Sequence, residues 1–219
     1  MKKLLLVALL ALLSPLASAA GGESNPYVVK APISITDKAQ LQRGAQLFVN
    51  YCFGCHSMKY LRYERMATDL DIPLDLLAGN LMLNTDKVGS PMLNGLDPVQ
   101  AKKWFGVVPP DLTLEAKLRG ADWVYSYLIS FYEDPSRPWG VNNHVFPNVG
   151  MPHIMADMQH SLPEEEFKAR MADITAFLEY AAEPIQATRM MMGIFVIGFL
   201  LVLLIFAWLM KREFWKDVH

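Results

Sequence analysis

Two stretches of this 219-residue chain are apolar without interruption, and between them hydrophobic positions recur mostly at helical spacing. Met190 to Met210 runs 21 residues without a charge. At about 1.5 Å per residue, a helix of that length spans a hydrocarbon core of roughly 30 Å. Arg189 precedes it, Lys211, Arg212 and Lys216 follow, and Trp208, Phe214 and Trp215 fall at interface depth. The heavier positive flank predicts a cytoplasmic tail at 211–219, with everything before the span on the outer side. No ionisable side chain lies within 190–210, so the span anchors and carries no ion path of its own. At the other end, Lys2 and Lys3 precede ten apolar residues, Leu4 to Leu13, followed by Pro15 and the small-residue run Ala17-Ser18-Ala19. That pattern predicts an export signal over 1–19, cleaved before Ala20, since ten apolar residues are too few to cross a bilayer.

Residues 20–189 are the size of one domain. Leu41, Ala45, Phe48, Cys52 and Cys55 follow three-and-four spacing and predict a helix running into the cysteines, with Thr36 or Asp37 at its N-cap. Phe167, Met171, Ile174 and Leu178 predict a second helix that ends near Pro184. Ser161-Leu162-Pro163-Glu164 reads as a capping box at its start. Residues 64–113, broken by Pro73, Gly79, Gly89, Pro91, Gly95 and Pro98, predict turns and short helices. The fold class is mainly α: one domain with loop-rich insertions, plus one transmembrane helix.

Composition changes this picture in one respect. The whole chain is near neutral at −2, but residues 20–189 hold fifteen Lys and Arg against twenty Asp and Glu, so the exported part is acidic. That balance excludes a basic nucleic-acid binder. It allows steering of a basic partner, or simply a solvated surface. Glu164 to Glu166 and the Asp69, Asp71 and Asp75 cluster are read in the same two ways, the triple Glu also favouring the positive end of its own helix.

The candidate chemistry is Cys52-Phe53-Gly54-Cys55-His56. Two cysteines three apart suit a redox dithiol, half a zinc site or a haem attachment, and a histidine directly after the second favours haem. Each thiol can bond a haem vinyl group, and the adjacent imidazole can reach the iron. A zinc site needs further thiolates or histidines at ligand spacing, and the chain has no third cysteine. A thioredoxin-like site needs a βαβ setting. A disulfide across this spacing closes almost no loop. The sixth iron ligand decides between electron transfer and an open, ligand-binding iron. Met151, in the rigid loop Val145-Phe146-Pro147-Asn148-Val149-Gly150-Met151-Pro152, is one candidate; Met155, Met158 and His153 are rivals on spacing alone. His144, His160 and His219 show no ligand pattern.

Arg43 to Tyr60 around the CxxCH motif resembles the haem-attachment region of the cytochrome c1 family. So do Val108-Pro109-Pro110-Asp111-Leu112-Thr113, the Phe146-Pro147 to Gly150-Met151 loop, and Phe177 to Pro184 leading into a C-terminal span and a Lys-Arg tail. The resemblance runs in order from Arg43 to Lys216. It implies a c-type cytochrome domain carrying one covalent haem c with His56 and Met151 as iron ligands, the second helix crossing the first. It implies that Arg119 meets a haem propionate and that the Pro110 carbonyl receives the His56 Nδ1 proton. It also implies a non-catalytic electron carrier in the bacterial inner membrane, its haem domain in the periplasm, within a cytochrome bc1 complex that dimerises as a whole. Electrons would arrive from the Rieske iron–sulfur subunit, beside cytochrome b, and leave to a soluble c-type cytochrome. Trp104-Phe105 and Trp123 depart from mitochondrial members, which carry asparagines and tyrosine there. The competing reading is a membrane-anchored mono-haem c enzyme or gas sensor with an open iron site.

Overall fold

A computed structural model describes residues 25–217. The export signal expected at 1–19 and His219 lie outside the described residues. Helix α1 (Lys38–Leu47) starts at Asp37, whose carboxylate accepts from Gln40 N at 3.2 Å, deciding between the two expected caps. Leu41, Ala45 and Phe48 are buried as the spacing requires, but the α-helix does not continue to Cys55. It widens into one π turn over Phe48–Cys52, closed by Phe53 N donating to Phe48 O at 2.9 Å. A π turn adds one residue per turn and so re-aims the side chains after it, here the cysteine pair.

The order then runs β1 (Met58–Arg62), α2 (Tyr63–Asp69), α3 (Leu74–Asn80), β2 (Pro91–Met92) and α4 (Pro98–Phe105). There follow α5 (Glu115–Arg119), α6 (Ala121–Ile129), β3 (Phe131–Glu133), β4 (Val141–Asn143), α7 (Ala156–Ser161), α8 (Glu164–Ala182) and α9 (Gln186–Phe214). The mainly helical class therefore holds, with two small antiparallel ladders that the apolar pattern did not announce: β1 with β2, and β3 with β4. The capping box is not formed. The residue before α8 is Pro163, which has no side-chain cap, and Ser161 Oγ instead donates back to Met158 O at 3.5 Å, closing α7.

The core forms where α8 crosses α1, with α5 and α6 packed against α8. Phe167, Met171, Ile174, Phe177 and Leu178 are buried along α8. Phe177 meets Phe48 with ring centroids 5.7 Å apart. Gly44 sits at the crossing, where a Cβ would lie 2.0 Å from the Asp173 carbonyl oxygen, so only glycine lets the two backbones approach this closely. Beside it, Arg43 clasps the buried Asp173 carboxylate with two bonds, 2.8 and 3.0 Å. The crossing thus fixes the direction in which α1 delivers the cysteines. Before α1, the chain is strapped to α6, with Val29 N donating to Ser126 Oγ and Ala31 N to Asp122 Oδ1, both at 2.8 Å. Helix α9 is 29 residues long, none of its residues is buried, and it is long and apolar enough to cross a membrane.

Candidate functional site

After the π turn the chain makes one tight turn, with Cys55 N and His56 N both donating to Cys52 O at 3.1 and 2.9 Å. This places both thiols and the imidazole on a single backbone turn. Cys52 is buried and Cys55 half-buried, with no disulfide between them. Burial, with the neighbouring Cys55, pushes the Cys52 thiol up to about 12, so it stays protonated at neutral pH. Among the described residues no three His, Cys, Asp or Glu side chains converge as a zinc site needs.

His56 is oriented by the Pro109-Pro110-Asp111-Leu112 segment. Its Nδ1 lies 2.7 Å from the Pro110 carbonyl oxygen, which can only accept, so Nδ1 carries the proton and Nε2 keeps its lone pair. Burial lowers the imidazole's pKa, opposed by that hydrogen bond and by Glu115 and Asp111, which favours the neutral ring that a metal requires. The segment itself is stitched to the residues after His56. Leu112 N donates to Ser57 O at 2.9 Å, and Lys59 N donates to Asp111 Oδ2 at 2.8 Å.

From this segment a run of contacts leads to Met151. Helix α5 ends at Arg119, an exposed side chain that pairs with Glu115 at 2.9 Å and stacks its guanidinium 4.3 Å above the Trp123 ring. Trp123 stacks on Tyr127 at 5.3 Å, their planes 8° apart, and Phe146 packs edge-on against both. The Tyr127 hydroxyl donates to Met151 Sδ at 3.4 Å. A Cβ on Gly150 would lie 3.5 Å from Val107, so the methionine loop runs beside the chain just before the proline pair.

The methionine loop is held from behind by the β3–β4 hairpin. Asn143 Oδ1 accepts from Val145 N and Phe146 N at 2.9 and 3.0 Å, and Asn142 Oδ1 accepts from Asn148 N at 2.8 Å. Arg137, in the hairpin turn, donates to Asn148 O at 2.9 Å; Asn148 adopts φ +64°, a conformation asparagine tolerates better than most residues. The rival ligands are engaged elsewhere. Met155 and Met158 are buried in the core, and His153 stacks flat on Phe131 at 4.6 Å while its Nε2 meets Gln159 Oε1 at 2.6 Å. His144 is exposed, and its ring stacks on Tyr27 and on Tyr132 with centroids 4.7 and 4.3 Å apart. Spacing could not have found the Arg137 and Tyr127 contacts, because these residues lie 11 and 24 positions from the residues they hold; the Asn142 and Asn143 contacts are local, two to six positions away, but follow no ligand motif.

These residues suit a haem. Around the His56–Met151 run, Val107, Val108, Leu114, Leu118 and Phe146 leave large apolar side chains exposed, and Leu118 is 74% accessible. An apolar rim at a site that also presents a free imidazole nitrogen and a thioether matches an apolar macrocycle with an iron centre.

The chain matches the Cytochrome C1 family over residues 27–76 and 80–218. It is 44% identical to a cytochrome c1 of Allochromatium vinosum, covering the full length of both chains. It is 36% identical to a protein of Nitrosomonas europaea named ammonia monooxygenase gamma subunit, over all of this chain and 99% of that one. A cytochrome c1 of Rhodospirillum rubrum is 30% identical over 83% of each. Full-length identity at this level, together with the mainly helical domain and the one long apolar C-terminal helix, shows that the chain belongs to the cytochrome c1 family, membrane-anchored haem c proteins with an electron-transfer role in the bc1 complex.

Proposed function

We propose that the chain carries one covalent haem c between His56 and Met151, passing electrons from a Rieske iron–sulfur subunit to a soluble c-type cytochrome. The observation that carries this reading is the His56 Nδ1 bond to the Pro110 carbonyl, directly after the two thiols. It fixes the one tautomer able to offer Nε2 to iron. Cys52 and Cys55 would hold the haem through thioether bonds, each thiol adding its sulfur and hydrogen across one vinyl group. Met151, held by its clamped loop, would offer its sulfur to the iron. Arg119, fixed over Trp123, presents its cation to a propionate. When bound, the haem supplies a one-electron redox couple. The chain's own part would be to supply two iron ligands, His56 and Met151, that leave no place for a substrate, and an apolar rim that excludes water.

Residues 1–19 serve as a cleaved signal, 20–189 as the periplasmic domain, 190–210 as the anchor and 211–219 as the cytoplasmic tail, in a bacterial inner membrane. Cytochrome b is the membrane neighbour, and the complex works as a dimer. The acidic groups that could steer a basic acceptor are largely paired within the chain, though still exposed: Asp71 with Lys38, Asp69 with Arg65, Glu164 with Lys168 and Glu166 with Arg170.

The test is anaerobic spectroscopy of the ferrous protein in the detergent-extracted complex. A low-spin spectrum unchanged by carbon monoxide is expected. Rapid carbon monoxide binding by the undenatured protein would overturn the closed-iron reading in favour of an anchored sensor or enzyme.

A further inference from the structure

Among the described residues, the Tyr127 hydroxyl is the hydrogen-bond donor to the Met151 sulfur, and its ring has little freedom. Trp123 stacks on one side, Phe131 meets it edge-on at 5.2 Å, and the Tyr127 carbonyl accepts from Asn143 Nδ2 at 2.8 Å. The same asparagine holds Val145 and Phe146 of the methionine loop. Donor and acceptor are thus tied to one another through backbone as well as through the 3.4 Å contact.

We infer that Tyr127 is a positioning residue that sets the reduction potential of this site by hydrogen bonding the Met151 sulfur. The inference rests on the reading of Met151 as an iron ligand. A thioether sulfur has two lone pairs; one can face the metal while the other accepts the phenol proton. That hydrogen bond draws electron density from sulfur and makes it a poorer donor. Ferric iron depends on the donation more than ferrous iron does, so the bond favours the reduced state and raises the potential. A phenol at its ordinary pKa of about 10 already keeps its proton throughout the working range.

The experiment is Tyr127→Phe in the detergent-extracted complex, which removes one oxygen and keeps the ring stack. Redox titration of the c-type α-band is expected to show a lower midpoint potential with the sulfur-to-iron charge-transfer band retained. The shift corresponds to a several-fold change in the ratio of reduced to oxidised protein, bounded by the roughly tenfold that a whole neutral hydrogen bond represents. An unchanged or raised potential with that band intact overturns the inference. Should the variant fold poorly, transfer of the unaltered complex into D2O gives the second reading. The iron–sulfur stretch shifts when the phenol proton lies on sulfur, and an unshifted stretch overturns the inference. Met151→Leu separates the two levels. If it abolishes the charge-transfer band and opens the iron to carbon monoxide, the ligand reading stands whatever Tyr127→Phe shows. If the band survives in Met151→Leu, the ligand reading fails and this inference fails with it.

Discussion

Gly44 carries the tightest constraint at the scale of single residues. A methyl group there would meet the Asp173 carbonyl oxygen at 2.0 Å and its carbon at 2.7 Å, both backbone atoms that cannot swing aside. Gly44→Ala is therefore expected to cost about 3 kcal/mol or more, by forcing α1 and α8 apart, whereas Gly54→Ala, with nothing within 4 Å, should stay within about 0.5 kcal/mol. Thermal unfolding of the holo-protein followed by far-ultraviolet circular dichroism compares the two, and equal losses would refute the close-approach argument. The adjacent ion pair is asymmetric: the Arg43 side chain is 55% accessible and that of Asp173 9%. Arg43→Ala strands a buried carboxylate and should cost roughly 3 kcal/mol, while Asp173→Ala leaves a guanidinium that water can reach and should cost less. Cys52, Cys55 and His56 were legible because their chemistry is compressed into five positions. The Tyr127 contact was not, since a tyrosine on an apolar helix face looks the same in sequence whether or not its hydroxyl finds a sulfur.

Among the elements, α1 and α8 followed from periodicity because each buries one continuous face. Even so, the pattern carried α1 too far, since three-and-four spacing through Cys55 cannot distinguish an α turn from the π turn at Phe48–Cys52. The capping box failed for a related reason. Ser161 and Glu164 have the right separation, but Leu162-Pro163 is extended and Ser161 belongs to the end of α7. The β3–β4 hairpin was invisible because Val141-Asn142-Asn143 lacks alternating apolar residues; its asparagines are buried to serve the methionine loop. Asn143→Ala removes one oxygen that accepts from both Val145 N and Phe146 N. Two partly buried donors then lose their partner, at about 1–3 kcal/mol each. The expected outcome is weakened Met151 ligation, measured as loss of the sulfur-to-iron charge-transfer band at temperatures where the rest of the domain remains folded. A band that melts only with the whole domain would show that the hairpin does not hold the loop.

Across the whole molecule, α5 and the long apolar helix α9 meet in one charge network. Lys117 on α5 reaches Glu179 at 3.1 Å and Glu183 at 3.0 Å, near the end of α8, and Glu183 also receives the Arg189 guanidinium from the first turn of α9. Helix α9 spans about 43 Å at about 1.5 Å per residue, and the network ties its first turn to α5 and the Arg119–Trp123 stack. Arg189 and Lys117 together hold the Glu183 carboxyl down at about 2. A depressed carboxylate contributes in full above its ordinary range and loses that contribution as pH falls through the folded value, so the tie persists at every physiological pH and releases only toward pH 2. High salt is the milder way to weaken it, because the pairs are partly exposed and screened. Glu183→Gln removes the charge at the node while keeping its shape. The expected result is a broader spread of haem orientations in aligned membranes, read by electron paramagnetic resonance, with the midpoint potential unchanged because no iron ligand or hydrogen bond to one is touched. An orientation spread identical to that of the unaltered complex would mean that backbone continuity at Pro184 alone sets the geometry. A shifted potential would mean that charge at the membrane junction reaches the iron, so the separation between anchoring and redox tuning would fail.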